Sequence, residues 1–240
     1  MPEKSSTQQL HERLAEIIQA TESGDRLPSE PQLAQDLGVS RATLREAMRT
    51  FETQGLLRRR QGVGTFVTRP SLIIESGLEV LESIETQAER LGLPVSMGEL
   101  EIDTCSAPKK AAKALQVDPD AELVCVARVI LVEDRPVAYL VDTLPKKYIN
   151  PEEMNMGFSG SVLDLLLTRG SPMLGSSRCE IASVAASSEV ARALDIQRGD
   201  AVLAFEALLY TLDGEPIDYS LSYFLPGYFK FHVVRTVGTD

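Results

Sequence analysis

The stretch Arg26–Val67, RLPSEPQLAQDLGVSRATLREAMRTFETQGLLRRRQGVGTFV, decides the fold of the first part of the chain. Ser29 is a good N-cap, Gln32 three residues on can close a capping box, and Pro31 suits a first turn, where its missing N–H costs nothing. Leu33, Ala34 and Leu37 give a short helix its buried stripe, and Gly38 supplies a left-handed stop. Ser40 caps a second helix whose apolar residues Leu44, Ala47, Met48 and Phe51 recur at three- and four-residue spacing. Two helices joined by Gly38–Val39–Ser40 read as a helix-turn-helix. The second helix carries Arg41, Thr43, Arg45 and Arg49 on faces its apolar stripe leaves free. Forked arginines and a threonine are the side chains expected where a helix enters the major groove.

After Gly55, residues Leu56–Arg60 and Thr65–Thr68 read as two short strands around Gln61-Gly62-Val63-Gly64, which makes the unit a winged helix. A run such as Arg58-Arg59-Arg60 is often only a solvated face. Here it sits at one end of a recognition helix and leads into a glycine-rich tip whose backbone can lie close to a sugar-phosphate backbone. Ahead of this stretch, Leu10, Leu14, Ile17 and Ile18 predict an amphipathic helix from about Thr7 to Thr21, ended by Ser23-Gly24-Asp25.

Leu27-Pro28-Ser29-Glu30, Val39-Ser40-Arg41, Thr43-Leu44-Arg45, Gly55-Leu56-Leu57 and Gly62-Val63-Gly64-Thr65-Phe66-Val67 together resemble the GntR family of bacterial transcription regulators, over residues 7 to 69. The resemblance implies DNA contacts from Ser29, Ser40, Arg41, Thr43, Arg45, Arg49, Arg58, Arg60, Gly62, Gly64 and Thr65. One position departs from the pattern: Pro31 stands where the family usually has an arginine after the Ser-Glu pair.

A length of 240 residues with 43% hydrophobic content suits two globular domains and argues against disorder. No apolar run approaches the roughly eighteen residues of a membrane span, and MPEKSSTQQL lacks a signal-peptide pattern, so a cytoplasmic protein is expected. Cys105, Cys125 and Cys179 are isolated and odd in number, and read as reduced, mostly buried thiols. With His11 and His232 the only histidines, neither a metal site nor a histidine-based catalytic set is expected, nor any cofactor. The net charge of −11 divides unevenly. Residues 1–70 hold ten Lys and Arg against nine Asp and Glu, a balance of +1; residues 71–240 hold fourteen against twenty-six, a balance of −12. DNA affinity must therefore come from local clustering of arginines, not from the field of the whole chain.

Arg69-Pro70-Ser71 reads as a domain boundary, giving a DNA-binding domain 1–69, a linker 70–93 and a second domain 94–240. Within the linker, Ser76 is a cap for a helix to about Leu91 with Leu78, Leu81, Ile84, Ala88 and Leu91 on one side. From Pro94 onward the chain repeats itself. Ala111, Ala114 and Leu115, an apolar strand from Leu123, the turn Glu133-Asp134-Arg135-Pro136 and a strand ending at Leu144-Pro145 form one copy. Val190, Ala193 and Leu194, a strand from Val202, the turn Leu212–Pro216 and a strand reaching Leu225-Pro226 form the other. Two such copies predict a pseudo-symmetric sheet of hairpins with helices outside. Ser161–Arg169 reads as a further helix, capped by Ser159 or Ser161 and closed by Gly170.

That order of elements is similar to the UTRA effector domain of the HutC branch of GntR regulators, over residues 94 to 234. The expected class is thus α+β: a winged helix followed by a chorismate-lyase-like antiparallel sheet that binds a small molecule and forms a homodimer. Sugar-phosphate-binding members carry a set of residues that this chain keeps only in part. Arg128, Ser161 and Asp218 match, while Ile130, Leu163 and Phe224 replace an arginine and two tyrosines. The candidate effector-binding residues are Arg128, Ser161, Glu180, Asp218, Tyr223 and Phe224; Glu206, Tyr139 and Tyr219 also lie on candidate strands. Arg128 opposite Asp218 is equally readable as a structural ion pair. With half the donors gone, a phosphate dianion is disfavoured, and a ligand with one polar or anionic end and an apolar body is expected. A ligand-controlled DNA-binding regulator, repressor being the commoner mode, competes with two other readings. A chorismate-lyase-type enzyme lacks a nucleophile–base motif, and a structural nucleic-acid binder leaves the second domain without a purpose.

Overall fold

The computed structural model describes residues 6–60, 62–68, 73–106, 108–118, 121–155, 158 and 160–235. The Arg69-Pro70-Ser71 boundary, Gln61 of the wing tip and the alternative cap Ser159 lie outside these residues. The chain divides into two compact units, residues 1–73 with 226–228, and residues 74–225 with 229–240. Among the described residues no helix is long and apolar enough to cross a membrane.

In the first unit the periodicities are realised as α1 (Ser6–Ala20), α2 (Glu30–Leu37) and α3 (Arg41–Thr53), followed by β1 (Leu57–Arg60) and β2 (Gly64–Val67). Leu14, Leu33, Leu44, Leu57 and Val67 are all but inaccessible, and the three helices close on this core. Gly38 ends α2 at φ 70° and Ser40 caps α3 by accepting the Thr43 N–H at 3.1 Å. The Ser29 capping box does not form: the Ser29 hydroxyl makes no cap bond, and Gln32 turns instead to Asp36 at 2.8 Å. Arg26 bridges Phe66 in antiparallel fashion, so the wing has a third backbone partner that the hydrophobic pattern did not reveal.

In the second unit β3 (Ile74–Gly77) is followed by α4 (Ile84–Arg90), β4 (Val95–Ser106), α5 (Lys109–Leu115), β5 (Glu122–Val132) and β6 (Arg135–Pro145). Then come α6 (Pro151–Asn155), α7 (Val162–Arg169), β7 (Leu174–Ala185), α8 (Ser188–Ala193), β8 (Ala201–Thr211), β9 (Pro216–Phe224) and β10 (Phe229–His232). Six strands form one antiparallel sheet in the order β4-β5-β6-β9-β8-β7. Each half is one copy of the sequence repeat, and the halves meet along β6 and β9. The repeat is longer than the sequence pattern indicated, because β4 and β7, each of twelve residues, belong to it. It reaches backbone detail too: Gln116 and Asp195, which follow the paired leucines 115 and 194, both adopt left-handed φ, 56° and 51°. Glu133 and Asp134 turn β5 into β6 with positive φ at both positions, as a tight two-residue hairpin requires.

Three expectations are corrected. Residues 76–91 are not one helix: Ile74 and Ser76 point inward from β3, which pairs in parallel with β10, and the helix starts only after Ser83, whose hydroxyl caps it. A strand partner far away in sequence outweighs the local helical spacing, and Leu78, Leu81 and Leu91 are left partly exposed. Cys105 and Cys125 are not isolated thiols; they are joined by a disulfide between β4 and β5 with Cα atoms 6.1 Å apart. Cys179, on the edge strand β7, is exposed and not buried.

Because Leu14 has no accessible surface at the centre of the first core, Leu14→Ala should destabilise that unit by about 2–5 kcal/mol. Urea unfolding followed by signals from the first unit checks the value, and a loss below about 1 kcal/mol would mean the three helices do not share one core.

Candidate DNA-binding face and effector cluster

Where the N-terminus of α3 approaches the wing of the first unit there is a cleft of about 870 Å³. Arg26, Arg41, Arg45, Arg59 and Arg60 line it, with Glu30 as the one carboxylate among the described lining residues. Glu30 is the organising group. Its two carboxylate oxygens accept from Arg45 Nε at 2.6 Å and from the Arg59 guanidinium, so a residue of α2 ties the recognition helix to the wing. Arg45 and Arg59 keep about half of their surface (51% and 45%), which leaves both guanidiniums able to meet a further anion. Arg60 lies 5.1 Å over the Phe66 ring, a cation–π contact that holds it along the wing.

Of the residues expected to meet DNA, Ser29, Arg41, Arg45, Arg60, Gly62, Gly64 and Thr65 line this cleft. Ser40 and Thr43 are exposed at the start of α3, their hydroxyls 2.8 Å apart. Arg49 is half-buried and pairs with Glu46 at 2.9 Å, and Arg58 is exposed on β1; neither lines the cleft. The Thr65 side chain is buried, and its carbonyl accepts the Leu27 N–H at 2.8 Å, so its contribution is to the wing's backbone. Gly64 has φ 142°, and a Cβ there would run into the Arg26 guanidinium; the glycine serves the packing of the wing as well as its surface. Arg26 was not among the expected contacts, and Arg59 was expected only as a member of the three-arginine run. The signal for Arg26 was its place directly before Leu27-Pro28-Ser29-Glu30, and for Arg59 its place in the three-arginine run.

In the second unit the strand register sorts the expected effector residues onto two faces. Arg128, Asp142, Asp218 and Phe224 share one face, with α6 and α7 packed over part of it. Glu180 and Tyr223 belong to the other, together with Tyr139, Glu206 and Tyr219. Glu180 and Tyr223 are therefore not gathered with Arg128. Tyr223 stacks on Tyr139 at 6.3 Å, and Tyr219 donates to Glu206 at 2.9 Å. Phe224 packs at about 5 Å from Phe205, Phe229 and Phe231, inside an aromatic cluster. Ser161 is buried and its hydroxyl caps α7, accepting the Asp164 N–H at 3.1 Å.

The Arg128–Asp218 ion pair open from the sequence does not form; among the described residues Arg128 pairs with Glu85 and Asp142 instead. Its Nη1 donates to Glu85 of α4 and to the Gly160 carbonyl at 3.0 Å, while its Nε lies 3.8 Å from Asp142 Oδ2. One guanidinium thus meets two carboxylates, Glu85 and Asp142, and a third, Asp218, lies against Asp142. Glu85 and Asp142 were not legible as members of the site, because nothing in their local spacing links residues from α4, β5, β6 and β9. Burial, opposed by the Arg128 charge, raises the Asp142 carboxyl above the usual range, and burial with the neighbouring Asp142 charge raises Asp218 well above it. Asp218 also accepts the Thr143 N–H at 3.2 Å.

These raised groups hold protons more tightly folded than unfolded, so their stabilising contribution is complete at low pH and is lost as pH rises through the folded-state range. Asp218→Asn keeps an acceptor for Thr143 and removes the titration. It should flatten the fall in melting temperature as pH rises above the ordinary carboxylate range. An equally steep fall in the variant would show that the pair does not titrate there.

The comparisons with known proteins agree with both units. Residues 6–67 match the model of bacterial regulatory proteins of the gntR family, and residues 87–230 match that of the UTRA domain. The chain is 31% identical, over 95% of its length and 85% of the relative's, to the HTH-type transcriptional regulator Rv0792c of Mycobacterium tuberculosis. It is 28% identical to the histidine utilization repressor of Pseudomonas putida, over 78% of this chain and 76% of that one. The crystal structure of PhnF from Mycobacterium smegmatis superposes with a TM-score of 0.62 at 21% identity, covering 95% of this chain and all of that one, and shares its fold. With a winged helix bearing an arginine-lined cleft and a UTRA domain spanning more than half of its length, the chain belongs to the GntR family of transcription regulators, in the UTRA-bearing HutC branch.

Proposed function

We propose that the chain acts as a homodimeric repressor that leaves its operator when a small, singly charged or neutral organic ligand binds the Arg128 face of the second unit. The observation that carries the DNA reading is the cleft of five arginines about one glutamate, in a unit whose overall charge is nearly balanced. Local charge of this kind neutralises phosphates, and the pinned Arg45 is offered to base edges from the start of α3. A homodimer would place two recognition helices in successive major grooves, so the operator is read as a short near-palindrome. The ligand reading is supported by the surroundings of Arg128. A phosphate dianion brought to this arginine would meet Glu85, Asp142 and Asp218 as well, with too few donors to offset its desolvation.

Selection of bound sites from a random duplex library, followed by titration of the selected site, tests the DNA reading. Arg45→Ala should cost about 1–3 kcal/mol on the selected site and relax preference at one position per half-site. Equal losses on selected and random DNA would reassign Arg45 to phosphate contact. Replacing both Arg59 and Arg60 with glutamine should lower the slope of log K against log salt by about one to two units, and an unchanged slope would make the wing arginines a solvated edge.

For the ligand, titration calorimetry against glucosamine-6-phosphate and other sugar phosphates should give no heat attributable to a site. Micromolar binding by any of them would overturn this view of the second unit.

A further inference from the structure

The guanidinium of Arg128 has almost no accessible surface, 6% for its side chain, so it must be matched by a charge within the fold. Three carboxylates are near it, but they are not equivalent. Asp142 on β6 lies opposite Ser220, and Asp218, two residues along β9 on the same face, reaches its carboxyl; both are buried, where two like charges cannot easily coexist. Glu85 differs in two respects. It comes from α4, outside the sheet, and its side chain keeps 21% of its surface. One Glu85 oxygen meets Arg128; the other, Oε2, is buried and has no hydrogen-bond partner among the described residues. Arg128 Nε and Asp142 Oδ2 are likewise without hydrogen-bond partners there, so the cluster holds its charges together without satisfying them. A buried group in that condition is costly, and a better-fitting partner would be taken in exchange.

We propose that Glu85 is an internal counter-ion which a ligand's carboxylate replaces, one negative charge for one, and that this exchange sets the ligand class of the site. The proposal rests on the ligand-binding reading of the second unit given above. Exchange of a monoanion for Glu85 leaves the charge balance around Arg128 unchanged, and the displaced side chain returns to water along its exposed edge. A dianion would add a charge beside Asp142 and Asp218. Displacement also cuts the direct tie between α4 and β5. What remains at the start of α4 is the link to α7, where Asp164 accepts from Ser83 Oγ at 2.6 Å and from Thr86 Oγ1 at 3.3 Å. In the sequence α4 is the first helix after the winged helix, and it belongs to the second unit.

The test uses full-length wild type, Glu85→Gln, Glu85→Asp, and Glu85→Gln combined with Arg128→Gln. Benzoate, 3-phenylpropionate and hexanoate serve as probes, each beside its neutral amide. The isosteric glutamine gives up the charge and keeps the shape, so at least one carboxylate should bind Glu85→Gln about tenfold more tightly than wild type, its amide gaining nothing. Glu85→Asp, whose shorter arm reaches Arg128 less well, should fall between them. The gain should vanish in the double variant. In hydrogen exchange, the α4 amides of Gln87 and Leu91 should lose several-fold protection in Glu85→Gln without ligand, and in wild type on adding the bound carboxylate. Equal affinity for Glu85→Gln and wild type, a gain that survives loss of Arg128, a gain shared by the amides, unchanged α4 exchange, or no binding of any carboxylate to either protein would each overturn the proposal. None of these readouts involves DNA. Failure of operator binding would thus strike the repressor reading alone, while failure of the carboxylate exchange would leave the DNA-binding reading standing.

Discussion

The pairing of β6 with β9 is the constraint on which the second unit depends. Each copy of the repeat supplies three strands, and one strand pair, Ala138 with Phe224 through Thr143 with Tyr219, joins them into a single sheet. Three strands with one helix would leave a long unpaired edge and an uncovered apolar face, which is marginal for independent stability. Joined, the six strands bury Val124, Val126, Leu144, Leu209 and Ile217 beneath α6 and α7 on one face, and Leu123 and Tyr219 beneath α5 on the other. The same pairing sets Asp142 beside Asp218, so the charged cluster is a direct product of the seam between the two copies. A site at the junction of repeats needs no residue to be repeated, and here none of its members is: Arg128 and Asp142 come from one copy, Asp218 from the other, and Glu85 from neither.

Both units handle charge by the same device, a carboxylate that holds arginines in place, with opposite consequences. Glu30 is shared between two arginines that remain half exposed. Water screens that arrangement, so the ion pairs add little to stability and act chiefly to orient Arg45 and Arg59. Around Arg128 the numbers are reversed, two carboxylates paired with one guanidinium and a third beside them, with little water to screen them. There the ions are costly, and the balance among them depends on protonation. Surface pairs of the first kind suit a face that must meet a polyanion in varied salt. Buried clusters of the second kind suit a site that must discriminate between ligands by charge.

Some misreadings of the sequence share a cause. Residues 76–91 carry apolar side chains at helical spacing, yet β3 pairs with β10 and the helix is reduced to Ile84–Arg90. Cys105 and Cys125 are twenty residues apart and carry no motif, yet neighbouring strands bring them within disulfide range. Alternation alone leaves open whether the candidates Glu180 and Tyr223 share a face with Arg128, and only the strand register places them on the opposite one. In each case the deciding partner is remote in sequence, and a local pattern carries no information about it.

What the sequence determined by itself is whatever depends on near neighbours. The helix-turn-helix follows from three-and-four spacing, the Ser40 cap and the Gly38 stop. The wing follows from two short runs about Gly62 and Gly64, and the two hairpins of the repeat from turns and prolines that recur in order. These are local hydrogen bonds and local burial preferences, which any chain with this sequence would feel. Tertiary structure alone decided which carboxylates meet which arginines: Glu30 with Arg45 and Arg59 across 15 and 29 residues, Glu85 with Arg128 across 43. Ion pairs have no preferred sequence separation, because Coulomb attraction acts through space and depends on the surrounding dielectric, and both distance and burial exist only once the chain has folded.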